Sequence, residues 1–404
     1  MIRFIEFLIA LAIVLVLFLV VGLILPSKRH LEESIETNRR MTIVFDTVNN
    51  IRRLNDWNLL LPTLEEDVKY SGGEDLTGVG ARVDFASEDP RWGEGYWEIV
   101  ESERPANGGS GKVAFTIDDT KPGGDKRSVV TLTPAGRNGR NVEVTQTYDV
   151  NYGWNLFGRF MGMYVSRHVG DSVKASLSKL TNMLATVPNF DYRLEGTRLT
   201  DLGIVELPAE NLLVVTAGNI DRNNDVIKQS INANREWIKR VMDSNGLEPA
   251  GPLRIITTDF GSEKYAFDVA QPVRKRGGGA AASDEDDAED EDASADGEAT
   301  ADAEDAVAAD TTAGVEVPQA TEPLANVKVA GTPVEYVRVE PRRAASGSYT
   351  GYMAELDSVR NAIRAWSMTN GYEVAGRPYE SWKGGVDGAF TADGTFDVFW
   401  EIKQ

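Results

Sequence analysis

The last half of the chain contains an internal repeat, and it restricts the fold more than any other sequence feature. The segment Asn245–Gly251 recurs at Asn370–Gly376 with its Asn-Gly, Glu and Ala-Gly residues unchanged. A shorter Phe-Asp-Val sequence begins at Phe267 and again at Phe396, and a helical pattern precedes each copy of the longer segment. A single repeat of this size predicts two copies of one small α/β unit. Ligands favour the seams between such units.

The two halves of this region are predicted to share one element order. Residues 199–273 and 327–402 each read as a strand, a helix and two strands, with helices near 224–244 and 355–369. Gly246 and Gly371 follow the helices and fit left-handed C-terminal caps, so much of the repeat has a structural origin. Neither half has an obvious core of its own. We therefore expect one domain over residues 199–404.

An acidic segment, residues 274–323, interrupts this domain. Fourteen Asp and Glu residues and no Lys or Arg lie between Asp284 and Asp310. Of the net charge of −21, the rest of the chain therefore carries −7. Low hydrophobicity with high charge predicts a disordered insertion. It is interpreted as a solvated linker or as an acidic interaction tail. The remaining chain lacks the basic surface that nucleic-acid binding requires.

The chain has no cysteine and only two histidines, His30 and His168. Disulfides, thiolate catalysis, Cys-ligated metals and multi-histidine metal sites are thereby excluded. We expect neither a metal nor a cofactor.

An apolar run at the N-terminus predicts a membrane anchor over residues 1–27. The 19 residues from Phe7 to Leu25 carry no charge, and at about 1.5 Å per residue they match the ~30 Å hydrocarbon core. The run ends in Leu-Pro-Ser-Lys-Arg rather than a small-residue cleavage site. We expect a single-pass protein of a bacterial cytoplasmic membrane. Basic residues after the run favour a cytoplasmic position for the bulk of the chain, although short N-terminal tails often stay inside regardless.

Residues 31–188 form the first predicted soluble domain, of α+β class. A short strand at 34–36 and a helix over 40–54 precede alternating strands at 113–117, 128–133 and 141–150. A long helix over 156–184 closes the domain. Its apolar residues recur every three or four positions and predict one continuous apolar stripe, which starts at Phe157 and includes Met161 and Tyr164.

Short motifs in this region resemble the SRPBCC or START-like superfamily of polyketide cyclases and lipid-transfer proteins, closest to a membrane-anchored subgroup. They are Leu25–Lys28 leading into Ser34–Glu36, Val44-Phe45 before Asn55–Trp57, Gly72 before Gly78–Ala81, and Arg159–Gly162 continuing through Gly170 to Leu177. The resemblance implies a helix-grip domain in which an antiparallel sheet and a long C-terminal helix enclose an apolar pocket for a lipid or another hydrophobic molecule. The apolar stripe fits such a lid and equally fits ordinary core packing.

The duplicated region, with its Gly376–Trp382 strand and its closing strand over 396–402, resembles the GyrI-like or AraC effector-binding (SOUL-like) domain. The resemblance implies a ligand cleft between the halves, walled by aromatics, with a glutamate on the strand after Gly-x-Pro. Glu380 occupies that place, whereas Ile255 stands at the corresponding place in the first half. No helix-turn-helix precedes the domain, and the acidic insertion and the glycines at 384, 385 and 388 depart from the compact pattern.

Glu380 and Trp382 are the first candidate ligand-binding residues, because they share one face of a predicted strand. A buried carboxylate among aromatics binds cationic amphiphiles. Alternatively, its raised pKa suits a general base for hydrolysis. A third interpretation is an exposed glutamate at a sheet edge. Tyr164 and His168 on the closing helix are further ligand-binding candidates, with a surface position open for His168. Four tryptophans are expected to be core or pocket-wall residues: Trp57, Trp92, Trp97 and Trp154.

Together these features predict a membrane-tethered protein that binds or transfers hydrophobic or amphipathic small molecules without catalysis. The alternative is a cyclase- or hydrolase-type enzyme that uses Glu380 as its base.

Overall fold

The computed structural model describes residues 2–62, 67–89, 92–106, 108–193, 198–261, 263–277 and 314–403. The chain divides into two compact units. Unit 1 comprises Met1–Thr197 with Asn361–Val374, and unit 2 comprises Arg198–Arg360 with Ala375–Gln404. Residues 361–374, which the predicted second domain includes, thus cluster with the first unit. Large antiparallel sheets and helices make the fold α+β, as the sequence predicts.

Unit 1 contains a seven-stranded antiparallel sheet whose order is β1-β7-β6-β5-β4-β3-β2. The three consecutive interior strands β5, β6 and β7 contain the three segments in which the sequence alternates. The strands are β1 (Lys28–Thr37), β2 (Val68–Ser71), β3 (Arg82–Ala86), β4 (Glu94–Glu103), β5 (Gly111–Asp119), β6 (Gly124–Ala135) and β7 (Asn141–Asn151). In β7 every second side chain is buried, which is the pattern of a sheet with one face against the core.

The N-terminal helix α1 (Ile2–Ile24) is the one described helix that is long and apolar enough to cross a membrane. The helix predicted over 40–54 is two helices, α2 (Met41–Val48) and α3 (Ile51–Trp57). The break has a local cause. Asn50 adopts an extended backbone, and its side chain accepts a hydrogen bond from the Arg52 amide, which starts a new helix.

The prediction of one helix over 156–184 is wrong at its first turns. The segment forms α4 (Leu156–Met161), a 3₁₀ turn (Gly162–Tyr164) and α5 (Val165–Thr186). The C-terminal half of the apolar stripe is buried, at Val173, Leu177, Leu180 and Leu184. Phe157, Met161 and Tyr164 are instead exposed. The long α5 and the antiparallel sheet, both expected for a START-like domain, are nevertheless present in unit 1.

Unit 2 contains a nine-stranded antiparallel sheet with the order β13-β9-β12-β11-β15-β16-β14-β8, and β10 pairs with β12. The order is symmetric about the β11–β15 pair, because the first strand of each half pairs with the second strand of the other. The strands are β8 (Leu199–Leu207), β9 (Glu210–Asp221), β10 (Leu247–Pro249), β11 (Leu253–Phe260), β12 (Lys264–Lys275), β13 (Val334–Val339), β14 (Arg342–Thr350), β15 (Tyr379–Trp382) and β16 (Thr395–Glu401).

The repeated heptapeptides follow the helices α6 (Asn224–Asn245) and α7 (Leu356–Thr369); a short α8 (Gly385–Ala389) lies before β16. Gly246 has φ 64° and caps α6 with its amide directed at the last-turn carbonyl groups. Gly371 has φ 83° after α7. Both glycines are therefore left-handed caps, as predicted, because a side chain at such φ values would be strained.

Most of the predicted disordered insertion, from 278 to 313, lies outside the described residues. At its start, Arg274 and Lys275 belong to β12. At its end, Val315 packs against the buried Leu207–Tyr379–Phe399 cluster, and Thr321 accepts hydrogen bonds from Asn211. Described residues at both ends of the predicted insertion, 274–323, thus contact the sheet.

Candidate functional site

Ile255 and Glu380, which occupy corresponding positions of the repeat, lie directly opposite each other in the centre of the unit 2 sheet. Ile255 of β11 pairs with Glu380 of β15 in antiparallel register. They occupy corresponding positions in the two halves, so the pseudo-twofold axis of the sheet passes between them. Both side chains have no solvent exposure. Glu380 is therefore a buried residue on the axis, which excludes an exposed glutamate at a sheet edge.

Glu380 lies beside one cation, the buried Arg360 of α7. Arg360 Nε is 3.2 Å from Glu380 Oε1, but the atoms are not aligned as a hydrogen bond. Neither carboxylate oxygen has a hydrogen-bond partner among the described residues, and Arg360 Nη2 has none either. Burial raises the pKa of Glu380, and the charge of Arg360 and the residue's own backbone amide oppose that rise only in part.

Aromatic and hydroxyl groups of β11 and β12 surround the ion pair. Arg360 Nη1 donates to Thr257 Oγ1 at 3.3 Å, and Thr257 Oγ1 is 3.0 Å from the Tyr265 hydroxyl. The Arg360 guanidinium lies 5.0 Å from the Phe260 ring centroid, within the range of a cation–π contact. The pKa of Tyr265 is raised, first by burial and then by the charge of Glu380. Glu380 thus belongs to a connected group of buried polar and aromatic side chains.

Trp382 is buried on the same strand, two residues from Glu380. Its ring packs edge-on against Phe390 and Phe396, with centroids 5.9 and 5.8 Å apart. Its indole Nε1 is buried and has no hydrogen-bond partner among the described residues. A buried indole N–H normally has such a partner. Glu380 and Trp382 therefore contribute an acceptor and a donor that the described protein groups leave unused.

The opposite face of the central strands contains a second buried ion pair. Arg254 donates to both carboxylate oxygens of Glu210, and the two side chains are 2% and 1% exposed. The Arg254 guanidinium lies 4.8 Å from the Tyr379 ring centroid. Burial raises the pKa of Tyr379 to about 12, and the charge of Arg254 opposes the rise. Both Glu210 oxygens accept hydrogen bonds in this bidentate pair, unlike those of Glu380, while Arg254 Nε has no partner among the described residues.

Sequence reasoning identified Glu380 but missed Arg360. A signal was present, because the spacing of the repeat aligns Arg360 of α7 with Arg235 of α6. Arg235 is exposed, whereas Arg360 is 4% exposed. Both members of the ion pair thus belong to the second half, while the first half has Ile255 and a surface arginine in their places.

The other two predicted ligand-binding residues, Tyr164 and His168, belong to unit 1 and lie on its surface. Tyr164 is 61% exposed and His168 is also exposed, with their ring centroids 6.5 Å apart. Trp57 and Trp97 are buried, as expected for core or pocket-wall residues, but Trp154 is 84% exposed. Among the described residues, no group of three or more His, Asp and Glu side chains is arranged to hold a metal ion.

No protein-family model matches the chain, and no curated protein matches it. Among similar solved structures, a Thermobifida fusca protein determined by solution NMR has 20% identity over 38% of this chain and 90% of its own, with a TM-score of 0.29. Norcoclaurine synthase from Thalictrum flavum, in complex with dopamine and hydroxybenzaldehyde, has 11% identity over 39% and 87%, with a TM-score of 0.29. EcmrR, from an EcmrR–DNA complex, has 12% identity over 62% and 72%, with a TM-score of 0.32. Likenesses at these scores carry no functional argument.

Proposed function

We propose that unit 2 binds a small amphipathic or hydrophobic molecule through Glu380 while α1 holds the chain in a membrane. The observation that carries the proposal is the Glu380 carboxylate, fully buried with neither oxygen hydrogen-bonded among the described residues. Burying a charge without hydrogen bonds costs several kcal/mol, and strongly perturbed carboxylates cluster at functional sites. A ligand that carries an ammonium or N–H group would supply the missing donors.

Aromatic surroundings decide which kind of ligand fits. Phe260 contacts Arg360 and packs on Tyr265, whose pKa the Glu380 charge affects, and Trp382 lies two residues from Glu380 on the same strand. Such rings stabilise apolar surface and, through their faces, cationic groups. A cationic or hydrogen-bonding head on an apolar body therefore matches this site best. The GyrI-like resemblance supports the same proposal, since it implies a glutamate at this position of a ligand cleft.

The membrane part of the proposal rests on α1, whose length and apolarity suit a single span. Tethering beside a bilayer raises the local concentration of molecules that partition into it. The START-like resemblance of unit 1 supports lipid or hydrophobic cargo there as well. We propose a bacterial cytoplasmic membrane, with the parts of the chain that follow α1 on the cytoplasmic side.

A second candidate function, hydrolysis or cyclisation of a small hydrophobic substrate, is favoured by one observation. Burial raises the pKa of Glu380 above its ordinary value of 4.5, and a general base works best when its pKa is near the ambient pH. In this reaction Glu380 would accept a proton from water or from the substrate. The Glu380 charge also raises the pKa of the Tyr265 hydroxyl.

Native mass spectrometry of the detergent-purified full chain tests the binding proposal. Glu380→Gln removes the charge and preserves shape, and Glu335→Gln is the matched control because Glu335 is an exposed carboxylate of β13 in the same unit. A co-purified small molecule present in wild type and Glu335→Gln but lost in Glu380→Gln supports the proposal. Titration with a dansyl alkyl ammonium and with its neutral dansyl amide counterpart then separates charge from apolar contact.

Two results would change the conclusion. If no molecule co-purifies and neither dansyl probe binds saturably, binding through Glu380 is overturned. If wild type and Glu335→Gln turn over an activated ester while folded Glu380→Gln does not, the second candidate replaces the first.

A further inference from the structure

A stretch of unit 1 between β7 and α5 exposes an unusual amount of apolar surface. Within eleven residues, five large side chains are between 44% and 84% exposed: Trp154, Phe157, Met161, Met163 and Tyr164. We call this set the α4 patch. Contiguous exposed apolar surface on a folded protein marks an interaction site.

The α4 patch faces outward because the opposite side of α4 packs closely against the rest of unit 1. Gly158 and Gly162 lie so close to the Tyr152 ring that an added Cβ would come within 2.8 and 2.7 Å of it. Only glycine permits this approach, and it fixes which side of α4 faces the protein. Arg159 is also buried there, with Nε donating to the Gly153 carbonyl. Phe157 and Met161 are thereby directed away from unit 1.

Helix α4 is attached to the C-terminal end of α1. Arg159 Nη1 donates to the carbonyl oxygens of Gly22, Leu23 and Leu25 at 3.2–3.3 Å. The Gly22 and Leu23 carbonyls belong to the last turn and Leu25 directly follows it, where a helix lacks its own donors and where a cation is favoured. Next to Arg159, Phe160 stacks on Phe18 with ring centroids 4.5 Å apart.

The Phe18–Phe160 contact sets the depth of α4 along α1. Phe18 lies seven residues before Leu25, so it is about 10 Å below the end of the apolar run. If Phe18 lay outside the membrane, only residues 7–17 would remain to span it, about 17 Å of helix against a ~30 Å core. Phe18 is therefore at hydrocarbon depth whenever α1 spans, and its stacked neighbour Phe160 shares that depth.

We infer that the α4 patch is a second membrane-contacting element, inserted into the lipid interface beside α1. The occupant is lipid, because the depth of Phe160 leaves α4 surrounded by acyl chains and headgroups. Interfacial helices insert about 5–10 Å, in agreement with the position of Phe160. Trp154 and Tyr164 are the residue types that concentrate at this level of a bilayer. The inference rests on the proposed membrane anchoring by α1.

The absence of cysteine from the chain makes a direct depth measurement possible. Single cysteines at Phe157→Cys and Met161→Cys are labelled with the fluorophore NBD in the full chain, reconstituted in phosphatidylcholine nanodiscs with and without doxyl-labelled lipid. Val14→Cys, in the middle of α1, reports on the anchor. Val100→Cys, on β4 and 43% exposed, is the matched control for an exposed apolar position outside the patch.

We expect doxyl lipid to quench labels at 14, 157 and 161 at least several-fold more than the label at 100. Quenching at 14 but not at 157 and 161 overturns the inference and leaves the anchor intact. No quenching at 14 overturns the anchoring proposal itself. Labels at 157 and 161 that are shielded from aqueous iodide but unaffected by doxyl lipid indicate coverage by protein, which also overturns the inference. Circular dichroism of each labelled variant checks that the fold is retained.

Discussion

At the scale of single residues, the Glu380 carboxylate and the Glu210 carboxylate show two ways to bury an acid. Arg254 donates one hydrogen bond to each carboxylate oxygen of Glu210. Glu380 has a single ion-pair contact with Arg360 and no aligned hydrogen bond among the described residues. The first arrangement satisfies the charge within the sheet. The second leaves acceptor capacity for another molecule, so the two sites should respond differently to mutation.

The raised pKa of Glu380 predicts how stability changes with pH. Above its ordinary value of 4.5, the unfolded chain loses the Glu380 proton while the folded chain keeps it. Folding therefore becomes less favourable as pH rises, until the folded-state pKa is passed. Relative to Glu380→Gln, wild type should lose stability between pH 4.5 and that pKa. Urea unfolding of both proteins, followed by circular dichroism from pH 4 to 8, measures the difference.

In Glu380→Gln, Arg360 has lost its partner, which changes the free energy of unfolding by the same amount at every pH in this range. The test is therefore how the difference in free energy of unfolding between the two proteins varies with pH. A difference in free energy of unfolding that stays constant from pH 4 to 8 would contradict a raised pKa.

The Glu210–Arg254 pair should behave as one unit. Glu210→Leu or Arg254→Met alone leaves a buried unpaired charge, which costs roughly 3–5 kcal/mol. The double variant removes both charges and should cost much less than the sum of the single variants. A double-mutant cycle by urea unfolding measures the coupling. Additive single costs would show that the charges are not coupled.

Whether the sequence predicts a site residue depends on whether a local motif or a partner distant in the sequence determines its position. Glu380 was recognisable from a motif and from the broken symmetry at Ile255. Arg360 and the Glu210–Arg254 pair were not, because hydrophobic patterns do not report on charged residues that are buried with partners at a distance. Arg254 lies 44 residues from Glu210, and only the folded sheet brings them together.

At the scale of elements, the break between α2 and α3 depends on the Asn50 cap. Asn50→Ala should cost about 1 kcal/mol of unfolding free energy, since the Arg52 amide loses its acceptor. Asn50→Ser retains a capping oxygen and should recover most of that loss. Both variants lose the long 3.4 Å hydrogen bond to Asn370, so their difference isolates the cap. Equal thermal and urea midpoints for the two variants would refute the capping role.

Hydrophobic periodicity predicted burial well for helices and strands that pack one face on the protein core. It predicted burial poorly where the apolar face of a helix does not pack on protein. The alternating segments of β5, β6 and β7 and the buried stripe of α5 were recognisable for the first reason. The spacing predicts a stripe that includes Phe157 and Met161, because it identifies residues that share a face. It does not reveal whether protein or another medium covers that face.

At the scale of the whole molecule, most of the net negative charge comes from residues 284–310. Replacing the fourteen acidic residues there with Gly and Ser at constant length changes the net charge from −21 to −7. Because loop closure depends on length rather than charge, the free energy of unfolding of the sheet around β12 and β13 should change by less than about 0.5 kcal/mol. Hydrogen exchange of these strands measures it, and a larger loss of protection would assign the acidic segment a stabilising role.

The cross-strand pairing of Ile255 with Glu380 has a consequence for how such a site can arise. In a homodimer of identical half-domains, any residue on the axis would face its own copy. A glutamate there would meet a second glutamate, and two like charges in direct opposition are destabilising. Fusion of both halves into one polypeptide removes that constraint, because the two copies can then diverge. A fused tandem chain can therefore carry a single carboxylate on the axis, whereas a symmetric homodimer of half-domains cannot.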